Sequence, residues 1–317
     1  MGSTMEYLLA PLDGFTDCRY RQAYADTVGG LSRAIAPFVV LVPGRRVRLS
    51  HLRDLWPEHN RGMAVEPQIL GNEEAYFPAM VEALRAYGYN SLNWNLGCPI
   101  RSVAAKHRGS GLLPYPAQVD RFLERAYACT QDAFGISVKI RLGYRDRAEI
   151  WPLLDVLNRY PLRYVAIHPR TGVQGYGGQP DWDFLETVLP HVKAPVYYSG
   201  DIFTVEDARR LSRRFPSVRV CLLGRGVLND PLLPRRLQGE DIAPEAARRQ
   251  CLALMERLHE NQLAYGIRPQ SVLKRLKPYW LRLDRALFGL PDDWVTRMKT
   301  VQTMTDYADL IKEYGNF

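Results

Sequence analysis

Eight short apolar runs, separated by amphipathic stretches, constrain the fold of this chain more than any other feature of its sequence. Each run has the length and content of a buried strand, and most of the intervening stretches have helical periodicity. Strands that alternate with helices indicate parallel βαβ units. The predicted strands are residues 7–10, 31–39, 65–70, 91–96, 136–141, 164–168, 196–199 and 218–223.

Eight such units are the content of a (β/α)8 TIM barrel, which usually takes ~250 residues. An open doubly wound sheet is the alternative, but no G-x-G-x-x-G motif follows the first strand, which disfavours it. The predicted helices between the strands are residues 76–87, 117–133, 150–158, 184–189 and 205–215.

After Gly239 the pattern becomes purely helical, with predicted helices at 242–265, 269–283 and 292–314. We therefore expect a barrel domain at 1–239 and a small helical-bundle domain at 240–317. The segment 268–280 is basic and ends in aromatic residues. It is either a solvated face or a phosphate-binding surface formed by Lys274, Arg275 and Lys277.

The composition describes an ordinary globular protein with a positive charge. The chain is 46% hydrophobic and 24% charged, and its formal net charge of +8 suits a polyanionic partner such as nucleic acid, although many basic proteins bind none.

No apolar run reaches the roughly 20 residues of a membrane span, and we expect a cytoplasmic monomer. The five cysteines lack zinc spacing, so no metal is expected, and all but Cys98 are expected to be buried free thiols.

Cys98 lies where Gly97 and Pro99 end the fourth predicted strand, in the sequence NLGCP at 95–99. Functional side chains of a barrel gather at such strand ends. There a thiol could act as nucleophile, proton donor or metal ligand. Other polar or turn-forming residues that fall in these places are Ala10, Pro11 and Leu12 of the first turn, Gln68, Lys139, Arg141, His168 and Arg170.

The turns after the seventh and eighth strands predict a phosphate site. They contain Ser199-Gly200-Asp201 and Gly224-Arg225-Gly226, and glycine lets backbone N–H groups close around an anion. A phosphate cradle beside a lysine suggests flavin mononucleotide (FMN), with Lys139 stabilising the reduced ring and Gln68 bonding its pyrimidine edge. The pattern alone does not separate FMN from another phosphorylated ligand.

Taken in order, these motifs resemble those of the tRNA-dihydrouridine synthases. The resemblance covers nearly the whole chain, and N-x-G-C-P, K-x-R-L-G and H-x-R-T seldom occur together elsewhere. The segments 48–58 and 274–280 are most similar to the bacterial type that modifies uridine 16 of tRNA. The residues that carry the resemblance lie at 9–14, 68, 95–99, 139–143, 168–171, 199–202 and 224–226.

The resemblance implies an FMN-bearing barrel that reduces the C5–C6 bond of a tRNA uridine, with NADPH as the electron source. It implies that hydride reaches C6 from the flavin and that Cys98 gives the proton to C5. It also implies that Lys139 and His168 line the flavin and the uracil, and that the uridine is flipped out of the folded tRNA. The further residues expected to contact substrate are Asn95, Arg141 and Arg170.

The chain departs from the family pattern at Asn93, where Asp is usual, at Pro37, where Glu is common, and at Ser199, where Asn is usual. The glycine-rich run after Cys98 is thinned to RGSGLL at 108–113.

Two alternative functions remain open. One is a flavin enzyme that reduces a free pyrimidine or an enoate on the same barrel, and the other is a tRNA-binding protein that has lost catalysis.

Overall fold

A closed barrel of parallel strands forms the first two thirds of the protein. The computed structural model describes residues 5–41, 49–130 and 134–315. Every pair of neighbouring strands in the described sheet is parallel. The strands are β1 (Glu6–Leu9), β2 (Arg33–Ile35), β3 (Val39–Val40), β4 (Ala64–Glu66), β5 (Gln68–Leu70), β6 (Ser91–Leu96), β7 (Gly135–Gly143), β8 (Val165–Thr171), β9 (Val196–Ser199) and β10 (Val220–Leu223).

The predicted (β/α)8 barrel is confirmed, with two of its eight predicted strands each split in two. Pro37 separates β2 from β3, and Pro67 separates β4 from β5, because proline has no N–H for the ladder. β2 pairs with β4 while β5 pairs with β6, so the interrupted strand β4/β5 closes the ring. The carbonyl of Pro67 accepts from the Asn93 N–H at 2.8 Å, which keeps the sheet bonded across the break.

Helices follow most of the strands, as the alternation predicts. The predicted helix at 117–133 ends at Thr130, and its residues 131–133 lie outside the described ranges. The sequence did not predict α1 or the short helices around the later turns. The helices of the barrel are α1 (Cys18–Thr27), α2 (Phe77–Ala86), α3 (Arg101–Ala104), α4 (Pro116–Thr130), α5 (Ile150–Leu157), α6 (Trp182–Val188), α7 (Val205–Arg214), α8 (Arg225–Asn229) and α9 (Leu233–Leu237).

The C-terminal segment is helical, but its predicted last helix at 292–314 is wrong as a single element. It is broken at 301–303, where Thr303 begins a new helix by accepting from the Asp306 N–H at 3.1 Å. None of the described helices is long and apolar enough to cross a membrane. The helices are α10 (Pro244–Ala264), α11 (Pro269–Trp280), α12 (Arg285–Phe288), α13 (Trp294–Thr300) and α14 (Met304–Gly315).

The helical segment packs directly on the barrel through aromatic contacts. Tyr279 of α11 stacks on Tyr20 of α1 with ring centroids 5.4 Å apart, and its hydroxyl donates to the Phe15 carbonyl at 2.6 Å. His59 lies 4.5 Å from the Tyr265 ring, which joins the segment around Trp56 to the end of α10. The helices are therefore held at a fixed place beside the barrel mouth. The division into domains at residue 239 stays a prediction.

Candidate active site

A cavity of ≈ 500 Å³ opens at the carboxyl ends of the strands and joins a smaller cavity of ≈ 50 Å³. The two share a wall formed by Lys139, His168 and Arg225, with Tyr176 and the first turn. The predicted site residues that line the larger cavity are Pro11, Leu12, Asn95, Cys98, Lys139, Arg141, His168 and Arg225. Those added by the smaller cavity are Ala10, Ser199, Gly200, Asp201 and Gly224.

Cys98 lies just beyond β6, and the backbone around it is held from two sides. Its N–H donates to Asn95 Oδ1 at 2.9 Å, and its carbonyl accepts from the N–H and the hydroxyl of Ser110 at 3.0 and 2.8 Å. A side chain at Gly109, whose φ is +56°, would collide with Cys98, so the two remaining glycines of the thinned run still allow close approach. Burial raises the pKa of the Cys98 thiol, which stays protonated near neutral pH.

Lys139 and Arg141 point to the same side of β7 because strand side chains alternate. No hydrogen bond or ion pair reaches Lys139 from the described part of the chain, and burial, with the Arg141 charge, lowers its pKa to about 7. Arg141 donates to the carbonyls of Gly97, Thr171 and Gly175 at 2.7–2.9 Å. Arg141 therefore fixes the cysteine turn against the loop after β8, and its remaining Nη2 group is available to a ligand.

His168 is a neutral side chain in the cavity wall. Burial and then the neighbouring cations Arg141 and Lys139 lower its pKa well below its ordinary value. Nη1 of Arg170 approaches His168 Nε2 at 3.1 Å, so the proton of the neutral ring lies on Nδ1. His168 can therefore serve a ligand as a hydrogen-bond donor without carrying charge.

Arg170 does not line either cavity, so its predicted substrate contact gains no support from this geometry and stays a prediction. Its five N–H groups are all engaged, with His168, with Asp201 Oδ1 and Oδ2 at 3.1 and 2.6 Å, and with the carbonyls of Gly177 and Gly178. The physical reason is that a buried guanidinium satisfies its donors within the protein. Arg170 instead orients His168 and holds the loop after β8.

The two glycine turns, for which the sequence predicts a phosphate, both line the smaller cavity. Gly226 is required because a Cβ there would collide with the Ile202 carbonyl, so the turn after β10 lies tight on the turn after β9. Arg225 bonds to Asp201, the carboxylate that also binds Arg170, and both arginines lower the pKa of Asp201. The Asp201 charge is thereby offset, and the contact of Arg225 with a phosphate stays a prediction.

Gln68 is fully buried and does not line either cavity, unlike the prediction for it. Its Nε2 donates to Asn93 Oδ1 at 2.8 Å, and its Oε1 accepts from Asn95 Nδ2 at 2.9 Å. The pyrimidine contact proposed for Gln68 therefore has no support in this geometry. Gln68 instead supports Asn95, the residue that binds the Cys98 backbone.

The predicted basic cluster of α11 divides into two kinds of residue. Lys274 and Arg275 are exposed to solvent. Lys277 is partly buried, and its Nζ donates to the carbonyls of Lys299 and Val301 at 2.8 Å each, at the end of α13. Lys277 therefore caps the C-terminus of α13. Of the three predicted cations, Lys274 and Arg275 are the two whose side chains are exposed and could contact an anion.

Sequence reasoning missed the aromatic and cationic groups at the cavity mouth. Tyr176 is 49% exposed, and the Arg225 guanidinium lies 4.5 Å from its ring. Arg282, just after α11, lines the larger cavity and lies 4.4 Å over Phe15. Phe38, beside Pro37, supplies an apolar wall. The glycine-rich loop around Tyr176 was a usable signal, whereas the place of Arg282 depends on tertiary packing alone.

The remaining cysteines fit the expectation of free thiols with one difference. Cys18, Cys221 and Cys251 are buried, but Cys129 is only partly buried, at the end of α4. No group of three or more potential metal-ligating side chains occurs within the described ranges.

A parallel barrel with a cysteine, cations and a neutral histidine gathered at the carboxyl ends of its strands defines a (β/α)8 barrel enzyme. The family described as "Dihydrouridine synthase (Dus)" matches residues 8–282. The chain belongs to the dihydrouridine synthase family.

Relatives and solved structures agree with this assignment at different levels. The tRNA-dihydrouridine(16) synthase of Pseudomonas syringae pv. tomato is 26% identical over 76% of this chain and 78% of its own. That of Neisseria meningitidis serogroup B is 24% identical over 97% and 94%. Two structures share the fold: the old yellow enzyme homologue from Zymomonas mobilis (TM-score 0.54, 13% identity, 74% and 88% covered) and the old yellow enzyme from Trypanosoma cruzi (0.52, 11%, 76% and 91%).

Proposed function

We propose that this protein is a flavin-dependent tRNA-dihydrouridine synthase that reduces the C5–C6 bond of uridine 16 in the D-loop of tRNA. The observation that carries the proposal is a single cavity that holds the protonated Cys98 thiol together with Lys139, a side chain with no hydrogen-bond or ion-pair partner among the described residues. Family membership and relatives named tRNA-dihydrouridine(16) synthase support both the reaction and the position. We further propose a cytoplasmic protein that acts as a monomer.

The residues of the joined cavities fit FMN. Lys139 is a partly buried cation without a partner among the described residues, and its cost in the free protein is explained by a ligand that brings negative charge. The turns at Gly200 and Gly224 present backbone to the smaller cavity, where a phosphate would lie. His168 can donate a hydrogen bond beside them. When bound and reduced by NADPH, FMN would supply the hydride.

Cys98 is the group that would supply the proton. Its raised pKa keeps the proton on sulfur at neutral pH, and the residue is only 9% exposed, so bulk water has little access to it. A general acid of this kind needs a pKa near or above the operating pH. Arg141 and Asn95 hold the turn that carries the thiol, which fixes the direction of proton delivery.

The mouth of the cavity suits an RNA substrate better than a free pyrimidine. Tyr176 and Phe15 offer aromatic faces, and Arg282 brings a cation from the helical segment to the same opening. Aromatic and guanidinium planes stack on unpaired bases and pair with phosphates. A small substrate would need neither Arg282 nor the exposed Lys274 and Arg275.

Deletion of the gene tests the function directly. We expect dihydrouridine to disappear from position 16 of bulk tRNA, and plasmid-borne wild-type protein to restore it. Purified protein should be yellow and should form dihydrouridine in tRNA from the deletion strain when NADPH is added. Unchanged dihydrouridine at position 16 would refute the proposal. A colourless protein that still binds tRNA would favour the catalytically inactive alternative.

The exposed cations of α11 provide a test of tRNA binding. We expect Lys274→Ala/Arg275→Ala to weaken tRNA binding and to reduce the slope of log affinity against log salt by roughly 0.7–0.9 for each lost phosphate contact. Filter binding at four salt concentrations measures both. Arg209→Ala/Arg213→Ala on α7 is the matched control, because this pair is also exposed but faces Glu206. An unchanged slope in Lys274→Ala/Arg275→Ala would mean that these two residues contact no phosphate and belong to a solvated face.

A further inference from the structure

A continuous chain of side-chain hydrogen bonds runs inside the barrel from Glu66, at the end of β4, to the turn that carries Cys98. Tyr164 and Ser137 both donate to the Glu66 carboxylate, the latter at 3.0 Å. Asn93 Nδ2 donates to Ser137 Oγ at 2.9 Å and to the Tyr164 hydroxyl at 3.5 Å. Glu66 is thus two hydrogen bonds away from Asn93.

From Asn93 the same chain of hydrogen bonds continues toward Cys98 through the side-chain amides of Asn93, Gln68 and Asn95. Gln68 Nε2 donates to Asn93 Oδ1 at 2.8 Å, and Asn95 Nδ2 donates to Gln68 Oε1 at 2.9 Å. Asn95 Oδ1 then accepts from the backbone N–H groups of Gly97 and Cys98 at 3.0 and 2.9 Å. Every member donates toward Glu66 and accepts from the side of Cys98.

Both ends of the chain require this direction. Backbone N–H groups only donate, so Asn95 must present its oxygen to Gly97 and Cys98. An ionised carboxylate only accepts, so Ser137 and Tyr164 must donate to Glu66 and keep their lone pairs for Asn93. Between the ends, each amide could turn by 180° at little steric cost and reverse its donor and acceptor.

We propose that Glu66 is a positioning residue for Cys98, since its carboxylate is the terminal acceptor that selects one orientation of Asn93, Gln68 and Asn95. If Asn93 turned over, its amide would meet that of Gln68 donor to donor, and Gln68 would turn in response. Asn95 would then lose its partner or present its NH2 group to the backbone of the cysteine turn. The turn that carries the Cys98 thiol would then no longer be fixed in a single conformation.

The Glu66 carboxyl group is mostly buried, with its side chain 11% exposed, and its polar neighbours favour the ionised form against the effect of burial. Burial raises its pKa, while the hydrogen bonds from Tyr164 and Ser137 and the charge of Arg163, 3.7 Å away, oppose that rise. Tyr164 stacks on Tyr197 at 3.9 Å, which fixes the direction of its hydroxyl. Burial and the Glu66 charge raise the pKa of Tyr164 well above its ordinary value, so the phenol keeps its proton and donates.

Residue 93 decides whether Glu66 is needed, because an aspartate in place of Asn93 would itself be an acceptor-only group. A carboxylate at residue 93 accepts from Gln68 whichever way it turns, and it accepts from Ser137 and Tyr164 as well. The chain would then be fixed at its middle. In this protein the acceptor-only group lies instead two hydrogen bonds away from residue 93, at Glu66.

The test is a double-mutant cycle with Glu66→Gln, which keeps the volume but adds a donor, and Asn93→Asp. We expect Glu66→Gln to lower kcat about tenfold with little change in KM for tRNA, the size of one disturbed buried hydrogen bond. We expect Glu66→Gln/Asn93→Asp to recover kcat to within about twofold, because the aspartate restores an acceptor-only group. Glu6→Gln is the matched control, since that carboxylate pairs with Arg33 at the surface.

A second readout does not depend on turnover. The rate at which iodoacetamide modifies Cys98, followed by peptide mass, should rise about tenfold in Glu66→Gln and fall back in the double variant, as the turn loosens and tightens. Cys129, which is partly exposed and belongs to none of these hydrogen bonds, should react equally in all variants and serves as the internal standard.

The effect on kcat rests on the proposed function, but the effect on alkylation does not. If the wild-type protein formed no dihydrouridine, the proposed function would fail and the alkylation cycle would still decide the role of Glu66. Equal Cys98 reactivity in wild type and Glu66→Gln would overturn the positioning role. A loss in Glu66→Gln that Asn93→Asp does not repair would also overturn it, because a packing defect is not repaired by a carboxylate elsewhere.

Discussion

Cys98→Ala is expected to lower the rate of dihydrouridine formation by ~10²–10⁴, the usual contribution of a general acid. The Cys98 thiol stays protonated at neutral pH and lines the same cavity as Lys139 and the neutral His168. Alanine removes the acid and little else, because Cys98 is held through its backbone N–H and carbonyl. The fold, the flavin and the affinity for tRNA should therefore remain.

Three measurements separate a lost acid from a damaged protein. The flavin spectrum and tRNA binding of Cys98→Ala should match the wild type, while a single turnover of the NADPH-reduced protein with tRNA should be slow. Cys98→Ser should also be slow, because a hydroxyl is a far weaker acid than a thiol. Cys129→Ala, which alters the partly exposed cysteine of α4, should turn over normally. Full activity in Cys98→Ala would end the assignment of Cys98 as the proton donor.

The barrel was predictable because its signal is local. Apolar runs recur eight times with helical periodicity between most of them, and the carboxyl ends of the parallel strands meet at one face of the barrel. Even the two broken strands have a visible cause in Pro37 and Pro67. The break at 301–303 was missed because the capping pair Thr303 and Asp306 lies within an otherwise helical pattern.

The partners of the site residues were less predictable, because they depend on which distant side chains meet. Gln68 and Arg170 both have side chains that could bind a ligand. In the fold, however, Gln68 forms hydrogen bonds with Asn93 and Asn95, and Arg170 forms an ion pair with Asp201. Arg282 comes from the helical segment and enters the cavity mouth only because α11 packs on the barrel. The residue type predicts which hydrogen bonds and ion pairs a side chain can form, whereas the fold determines which neighbour becomes its partner.

Lys139→Met is expected to stabilise the flavin-free protein below pH 7 while it lowers turnover of the loaded protein about 10²-fold, the cost of losing one preorganised charge. Burial, with the Arg141 charge, lowers the Lys139 pKa from 10.5 to about 7 in the folded protein. Between those values the unfolded chain binds more protons, so wild-type stability rises with pH through this window relative to the variant.

The sign of that pH dependence distinguishes an electrostatic cost from a packing effect. The variant's advantage in the free energy of unfolding should be largest at pH 6, up to about 5 kcal/mol, and should shrink toward pH 10. Denaturant unfolding at four pH values measures it, with Lys193→Met on the exposed surface as the control. An advantage that stayed constant with pH would show only better packing of methionine. An advantage that disappears at high pH would show that the charge on Lys139 destabilises the flavin-free fold, a cost that a negatively charged ligand in the cavity would offset.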